Sequence, residues 1–169
     1  MNDLSIFAHT VAADSVVKTG AVRISNLSKR FTLAGKELTA LDNINLDIKA
    51  GEFVSIVGPS GCGKSTLLRL ITGLDTDYDG EIRLDEQRVA GTGIERGLVF
   101  QDHRLFPWMT VAKNVEIALL NQRLPQERRH RLVRSHLDLV GLAGFEDAYP
   151  HQLSGGMAQR AAIARALVN

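Results

Sequence analysis

Gly58-Pro59-Ser60-Gly61-Cys62-Gly63-Lys64-Ser65-Thr66 has the residue types and spacing of a phosphate cradle: a glycine, four residues, then Gly-Lys-Ser. The glycines let the backbone curl so that successive N–H groups point into one concavity. A helix starting at Lys64 would bring its positive end to the same place. Lys64 adds a mobile full charge for the outer phosphates, and Ser65 offers a hydroxyl oxygen to Mg²⁺, a cation that prefers oxygen. Cys62 reads as a small neutral spacer whose alkylation would block the cradle.

A second glycine-rich turn, Leu153-Ser154-Gly155-Gly156-Met157, opens another helix. Ser154 is a good N-cap, and two glycines leave the first amides of the helix bare. Chemically this is a second anion site.

The flanking residues must position both turns. Phe53-Val54-Ser55-Ile56-Val57 is a short apolar run, read as a strand buried on both faces that feeds the first turn. Lys64 to Thr72 reads as the helix after it, with Leu67, Leu68 and Ile71 inward and Gly73 as its stop. Upstream, residues 1–20 sustain no period and read as a flexible leader. Strands are expected from Val22 toward Phe31 and over Leu41–Ile48, with a turn at Gly35-Lys36. Further strand-sized pieces are 80–84, 87–89 and 97–100. Helices are expected over 111–120, over 126–140 with Val133, Leu137 and Val140 on one face, and over 155–167. Gly141-Leu142 resembles a glycine cap with its apolar clamp.

Composition narrows the partners. Twenty basic and nineteen acidic residues in 169 give a formal charge of +1, which makes no electrostatic case for nucleic acid. Arg128, Arg129, Arg131 and Arg134 read as the solvated face of a helix. The lone cysteine excludes an internal disulfide and fits a reducing compartment. No stretch approaches the roughly 20 apolar residues of a membrane span, and the N-terminus does not read as a secretory signal. The histidines show no metal-ligand pairing.

Leu153-Ser154-Gly155-Gly156-Met157-Ala158-Gln159-Arg160, downstream of a matching phosphate loop, resembles the signature motif of ABC-type ATPases. The resemblance runs from Ala21 to Asn169. It implies an α/β P-loop NTPase fold of ABC type, with a RecA-like core, an antiparallel β subdomain and a helical signature subdomain over about 104–155. It also implies ATP and Mg²⁺ as ligands. Gly58 through Thr66 would hold the phosphates, with Lys64 catalytic and Ser65 on the metal. Phe31, in Ser28-Lys29-Arg30-Phe31, falls where the family places an aromatic that stacks on adenine. Gln101 matches the glutamine that would touch Mg²⁺ and the attacking water. Ser154, Gly155 and Gly156 would face the nucleotide of a second ATPase subunit in a head-to-tail dimer.

Phe106, Pro107, Trp108 and Met109 are unusually apolar for a loop, and exposed apolar patches mark partner sites. In ABC importers this region receives the transmembrane permease subunit. The chain resembles most the branch serving nitrate, sulfonate and taurine uptake, which implies a peripheral position on the cytoplasmic face of the membrane and an indirect link to a solute-binding protein. The alternatives are a soluble ABC ATPase without a transport role and a nonhydrolytic truncated relic. The family continues past the signature helix with an apolar strand ending in Asp-Glu and, later, a switch histidine. Neither lies within these 169 residues. The sequence is therefore read as an N-terminal fragment of a longer ATPase, marginal in stability and inactive in turnover by itself.

Overall fold

A computed structural model describes residues 19–169 together with the backbone of 5–9. The chain forms two compact units, Met1–Arg96 and Gly97–Asn169.

The first unit is built on a hairpin. Strands β2 (Val22–Leu33) and β3 (Lys36–Ile48) pair antiparallel around Ala34-Gly35. Both turn residues have positive φ, the handedness that matches strand twist. β2 also pairs with β5 (Asp79–Leu84), and β5 with β6 (Gln87–Arg88), so the sheet order is β3-β2-β5-β6. Ile24, Leu27, Leu41 and Ile82 are buried in one cluster, with Leu27 brought to the side of Ile24 by the register shift between them, and Leu67 and Leu70 join them. Gly80 is needed where β5 crosses the irregularity in β2. Its φ is +97°, and a Cβ there would lie 2.4 Å from the Asn26 carbonyl oxygen.

The strand before the phosphate loop, β4 (Phe53–Val57), differs from expectation. It is not buried on both faces: Phe53 is 65% and Val57 52% exposed. Among the described residues nothing covers that face. One edge of β4 is paired antiparallel with β1 (Ser5–His9), in register from Ser5↔Val57 to His9↔Phe53. Ser5–His9 lies within the stretch 1–20 that reads as a leader and is the part of it paired as a strand. An unpaired strand edge carries unsatisfied N–H and C=O groups, and any extended segment that reaches it can satisfy them. Residues 1–4 and 10–18 of that reading lie outside the described residues.

Helix α1 (Lys64–Ile71) follows the loop. It buries Leu67 as expected and packs Ile71 on the same cluster, but Leu68 is exposed and Leu70 is buried in its place. Its end is a Schellman motif: the Leu74 N–H donates to Arg69 O and the Gly73 N–H to Leu70 O, with Gly73 at φ +72°.

The second unit is helical. Gly97–Phe100 is not a strand, since the described residues give it no ladder partner. Helix α2 (Val111–Glu116) is capped by Thr110 and runs into a 3₁₀ turn over Ile117–Leu119, where a continuous helix to 120 was expected. Helix α3 (Gln126–Leu139) closes with Leu142 N–H to Leu137 O and Gly141 N–H to Asp138 O, the predicted glycine cap. Helix α4 (Gly155–Leu167) lays Ala158, Ala161, Ala162 and Ala164 against Val115, Leu119, Leu137 and Leu142. Alanine lets its backbone approach closely at no side-chain entropy cost.

Candidate functional site

The phosphate loop closes on itself through Lys64. Its ammonium donates to Gly58 O at 2.8 Å and to Pro59 O at 2.7 Å, and lies 3.5 Å from Cys62 Sγ. The charge is thus held in the concavity by groups that phosphate oxygens can replace. Ser60 and Gly61 are exposed on the rim. Cys62 is buried, so the expected alkylation of its thiol requires the loop to open first. Gly63 caps α1 at φ +99° and packs on β3, where a Cβ would meet Ala40 O at 2.6 Å and Leu41 Cδ2 at 2.8 Å.

Phe31, near the end of β2, lines an open cleft of about 220 Å³ together with Leu38, Ala40, Gly61, Gly63, Lys64, Ser65 and Thr66. Phe31 and the loop are therefore brought to one place. The ring is partly exposed on an apolar wall of the cleft, with a face open to a flat heterocycle. Leu38 and Ala40 belong to the same wall and were not anticipated. They face Phe31 across the hairpin, a relation that only the register Phe31↔Leu38 reveals.

The other sequence-predicted residues lie in the second unit. Ser154 caps α4, its Oγ accepting the Met157 N–H at 3.3 Å. Gly155 and Gly156 are exposed, and a Cβ on either would meet nothing within 4 Å. Packing inside the unit therefore does not require glycine there. Gln101 is also exposed. The residue before it is tied to α4, because Gln159 Nε2 donates to Phe100 O at 2.8 Å. Arg165 fastens the same loop further on, donating to Arg104 O at 3.0 Å and His103 O at 3.1 Å. Burial lowers the pKa of that guanidinium from its usual value.

The Phe106–Met109 turn is organised by a residue that sequence reading missed. Asn114 is fully buried. Its Oδ1 accepts the Phe106 N–H at 2.7 Å, and its Nδ2 donates to Phe106 O, Met109 O and Thr110 O. A polar residue inside an apolar helix face was the available signal. The turn holds Trp108 69% exposed, tilted against Phe106 with ring centroids 5.5 Å apart.

The ABC transporter family model matches residues 41–169, from within β3 through α4. The chain belongs to the ABC transporter family. An uncharacterized ABC transporter ATP-binding protein of Methanocaldococcus jannaschii is 51% identical over 148 residues, 88% of this chain and 55% of that protein. The nitrate import ATP-binding protein NrtD of a Synechocystis species is 53% identical over 146 residues, 86% of this chain and 55% of the relative. The aliphatic sulfonates import ATP-binding protein SsuB of Bacillus subtilis is 50% identical, over 88% of this chain and 57% of its own length. Among solved structures, a dimeric ATP-binding cassette in a post-hydrolysis state bound to ADP and Pi superposes with a TM-score of 0.77 at 37% identity, over 88% of this chain and 69% of that one. The ABC cassette fold expected from the sequence is thus shown, for the part of the domain that is present. The chain spans about half the length of the curated relatives it matches. No helix among the described residues is long and apolar enough to cross a membrane.

Proposed function

We propose that the full-length protein is the ATP-binding, energy-coupling subunit of an importer for a small oxyanion or sulfonate, working as a head-to-tail dimer on the cytoplasmic face of the membrane. The observation that carries the nucleotide part is the cleft that joins Phe31 to Gly61, Gly63, Lys64, Ser65 and Thr66. Phe31 offers a ring face to adenine. The backbone amides at the start of α1 and the Lys64 ammonium neutralise the phosphates. Relatives named for nitrate and sulfonate import support the transport part.

Ser65 fits Mg²⁺, because its exposed hydroxyl lines the same cleft as the phosphate-binding groups and supplies the hard oxygen this cation takes. Mg²⁺ would there offset the charge of the outer phosphates. Gln101 is assigned an amide contact to the metal and the attacking water on the resemblance alone. Lys64 exchanges its two loop carbonyls for phosphate oxygens, which turns a self-satisfied loop into a ligand-satisfied one. Ser154 holds the start of α4 rigid, and the bare amides of Gly155 and Gly156 are directed to the nucleotide of the second subunit. Trp108 and its turn form the contact to the transmembrane subunit.

The experiment is calorimetric titration of ATP into the full-length protein and its Lys64→Ala variant. Loss of binding in the variant with an unchanged melting temperature supports the reading. Equal affinity in both would remove it.

A further inference from the structure

Lys29 is a charged residue with almost no surface, 4% exposed on β2. Its ammonium pairs with Asp75 at 3.1 Å and Asp77 at 3.1 Å, and also donates to the Asp77 carbonyl. Asp75 and Asp77 stand in the turn that follows α1. The same ammonium lies 5.1 Å from the centroid of the Phe31 ring, two residues along the strand. A buried cation is expensive unless it is fully paired, so the cluster is a fixed point of the unit.

Two consequences follow from this placement. The cation against the ring quadrupole limits how Phe31 can rotate and draws electron density from the face it does not touch. It also ties the strand that carries Phe31 to the far end of the helix whose start forms the phosphate loop. The cluster thus adds a fixed polar tie between base platform and phosphate cradle, beside the seat of Gly63 on Ala40 and the packing of Leu67 and Leu70 on the sheet. We infer that Lys29, clamped by Asp75 and Asp77, is a positioning residue for nucleotide-base recognition: it orients Phe31 and fixes its spacing from the loop of Gly58–Thr66. This inference rests on the proposed stacking of adenine on Phe31.

The test uses the full-length protein and two ligands, ATP and inorganic tripolyphosphate, which share phosphates but not the base. Lys29→Met keeps the apolar stem and removes the charge. It weakens ATP binding roughly tenfold, in line with loss of a partly desolvated cation–ring contact and its ordering effect, and leaves tripolyphosphate affinity unchanged. Lys29→Arg restores most of the ATP affinity. Asp75→Asn keeps the packing and loosens the clamp, with a smaller loss confined to ATP, so a Lys29→Met chain that fails to fold does not end the test. Equal weakening of both ligands, or no change in ATP affinity, overturns the inference. Phe31→Ala separates the two claims. If it leaves the ratio of the two affinities unchanged, the stacking reading fails. If it changes the ratio while the Lys29 and Asp75 variants do not, only the role of Lys29 fails.

Discussion

Gly63 sits against Ala40 so closely that a Cβ on the glycine would lie 2.6 Å from the Ala40 carbonyl oxygen. The phosphate loop is therefore seated on β3 by backbone-to-backbone contact, at a residue whose φ of +99° already disfavours a side chain. Gly61 shares the positive φ, at +83°, but has open space around it. The two glycines separate strain from collision. Gly61→Ala should cost only the strain, roughly 1–2 kcal/mol. Gly63→Ala should cost more than Gly61→Ala and should also displace α1, with loss of ATP affinity. Chemical denaturation and calorimetry on the pair check this, and equal effects would mean that the contact with Ala40 is yielding.

Asn114 gives a second prediction. Asn114→Ala leaves a buried N–H and carbonyl oxygens of the 106–110 turn without partners, at about 1–3 kcal/mol for the groups exposed to that loss. Asn114→Asp should be at least as damaging, because a carboxylate oxygen would face the carbonyls of Phe106, Met109 and Thr110. Thermal melting measures the stability, and Trp108 fluorescence reports the turn. A shift in Trp108 emission should accompany both substitutions.

The Lys29–Asp75 pair predicts a pH window. Burial opposes ionisation of Asp75, but the Asp77 N–H and Lys29 outweigh it and hold the carboxyl below its ordinary 3.8. Its contribution to stability is present above 3.8 and is lost as pH falls through the folded-state value. Burial likewise opposes the charge on Lys29, and hydrogen bonds to Asp75 and Asp77 outweigh it, raising the ammonium above 10.5. That contribution is present below 10.5 and is lost as pH rises through the folded-state value. The stability difference between the wild type and Asp75→Asn should be flat between about pH 5 and about pH 9 and shrink in acid. Urea midpoints across that range test it.

Much of this was legible in the chain. The turn before α1 and the α4 cap depend on contiguous residues and local hydrogen bonds, so the helix start after Gly63 and the Ser154 cap were legible from spacing. So was the Gly141-Leu142 cap. What failed depended on distant neighbours. Val54–Ile56 has the composition of a strand buried on both faces, yet burial is a property of what lies across from it, and Phe53 and Val57 are exposed. Gly97–Phe100 has strand composition without a ladder among the described residues. Leu68 and Leu70 are both leucines in an eight-residue helix, and only the packing on Ile24 and Leu27 decides which turns inward. Ser5–His9 has a weak pattern of its own and is a strand because β4 had an edge to offer. Asn114 and Lys29 were passed over because buried polar residues show their purpose only through their partners.

Gly156 supplies a further test. Its place in α4 leaves a Cβ in open space, and alanine is the better helix former by up to about 1 kcal/mol. Gly156→Ala should therefore leave stability equal or slightly higher while weakening ATP-dependent dimer formation in the full-length protein, as read by light scattering. Unchanged dimerisation would show that these amides face solvent rather than a nucleotide.

The most direct measurement mixes two full-length variants, Lys64→Ala and Ser154→Arg, and follows their mass with ATP by analytical ultracentrifugation. Each alone lacks one half of every composite site. In a head-to-tail dimer the mixture restores one intact site, made from the loop of the Ser154→Arg subunit and the signature turn of the Lys64→Ala subunit. The expected result is monomers for each variant alone and an ATP-dependent dimer only in the mixture. Dimers from either variant alone, or none in the mixture while the wild type dimerises, would contradict it.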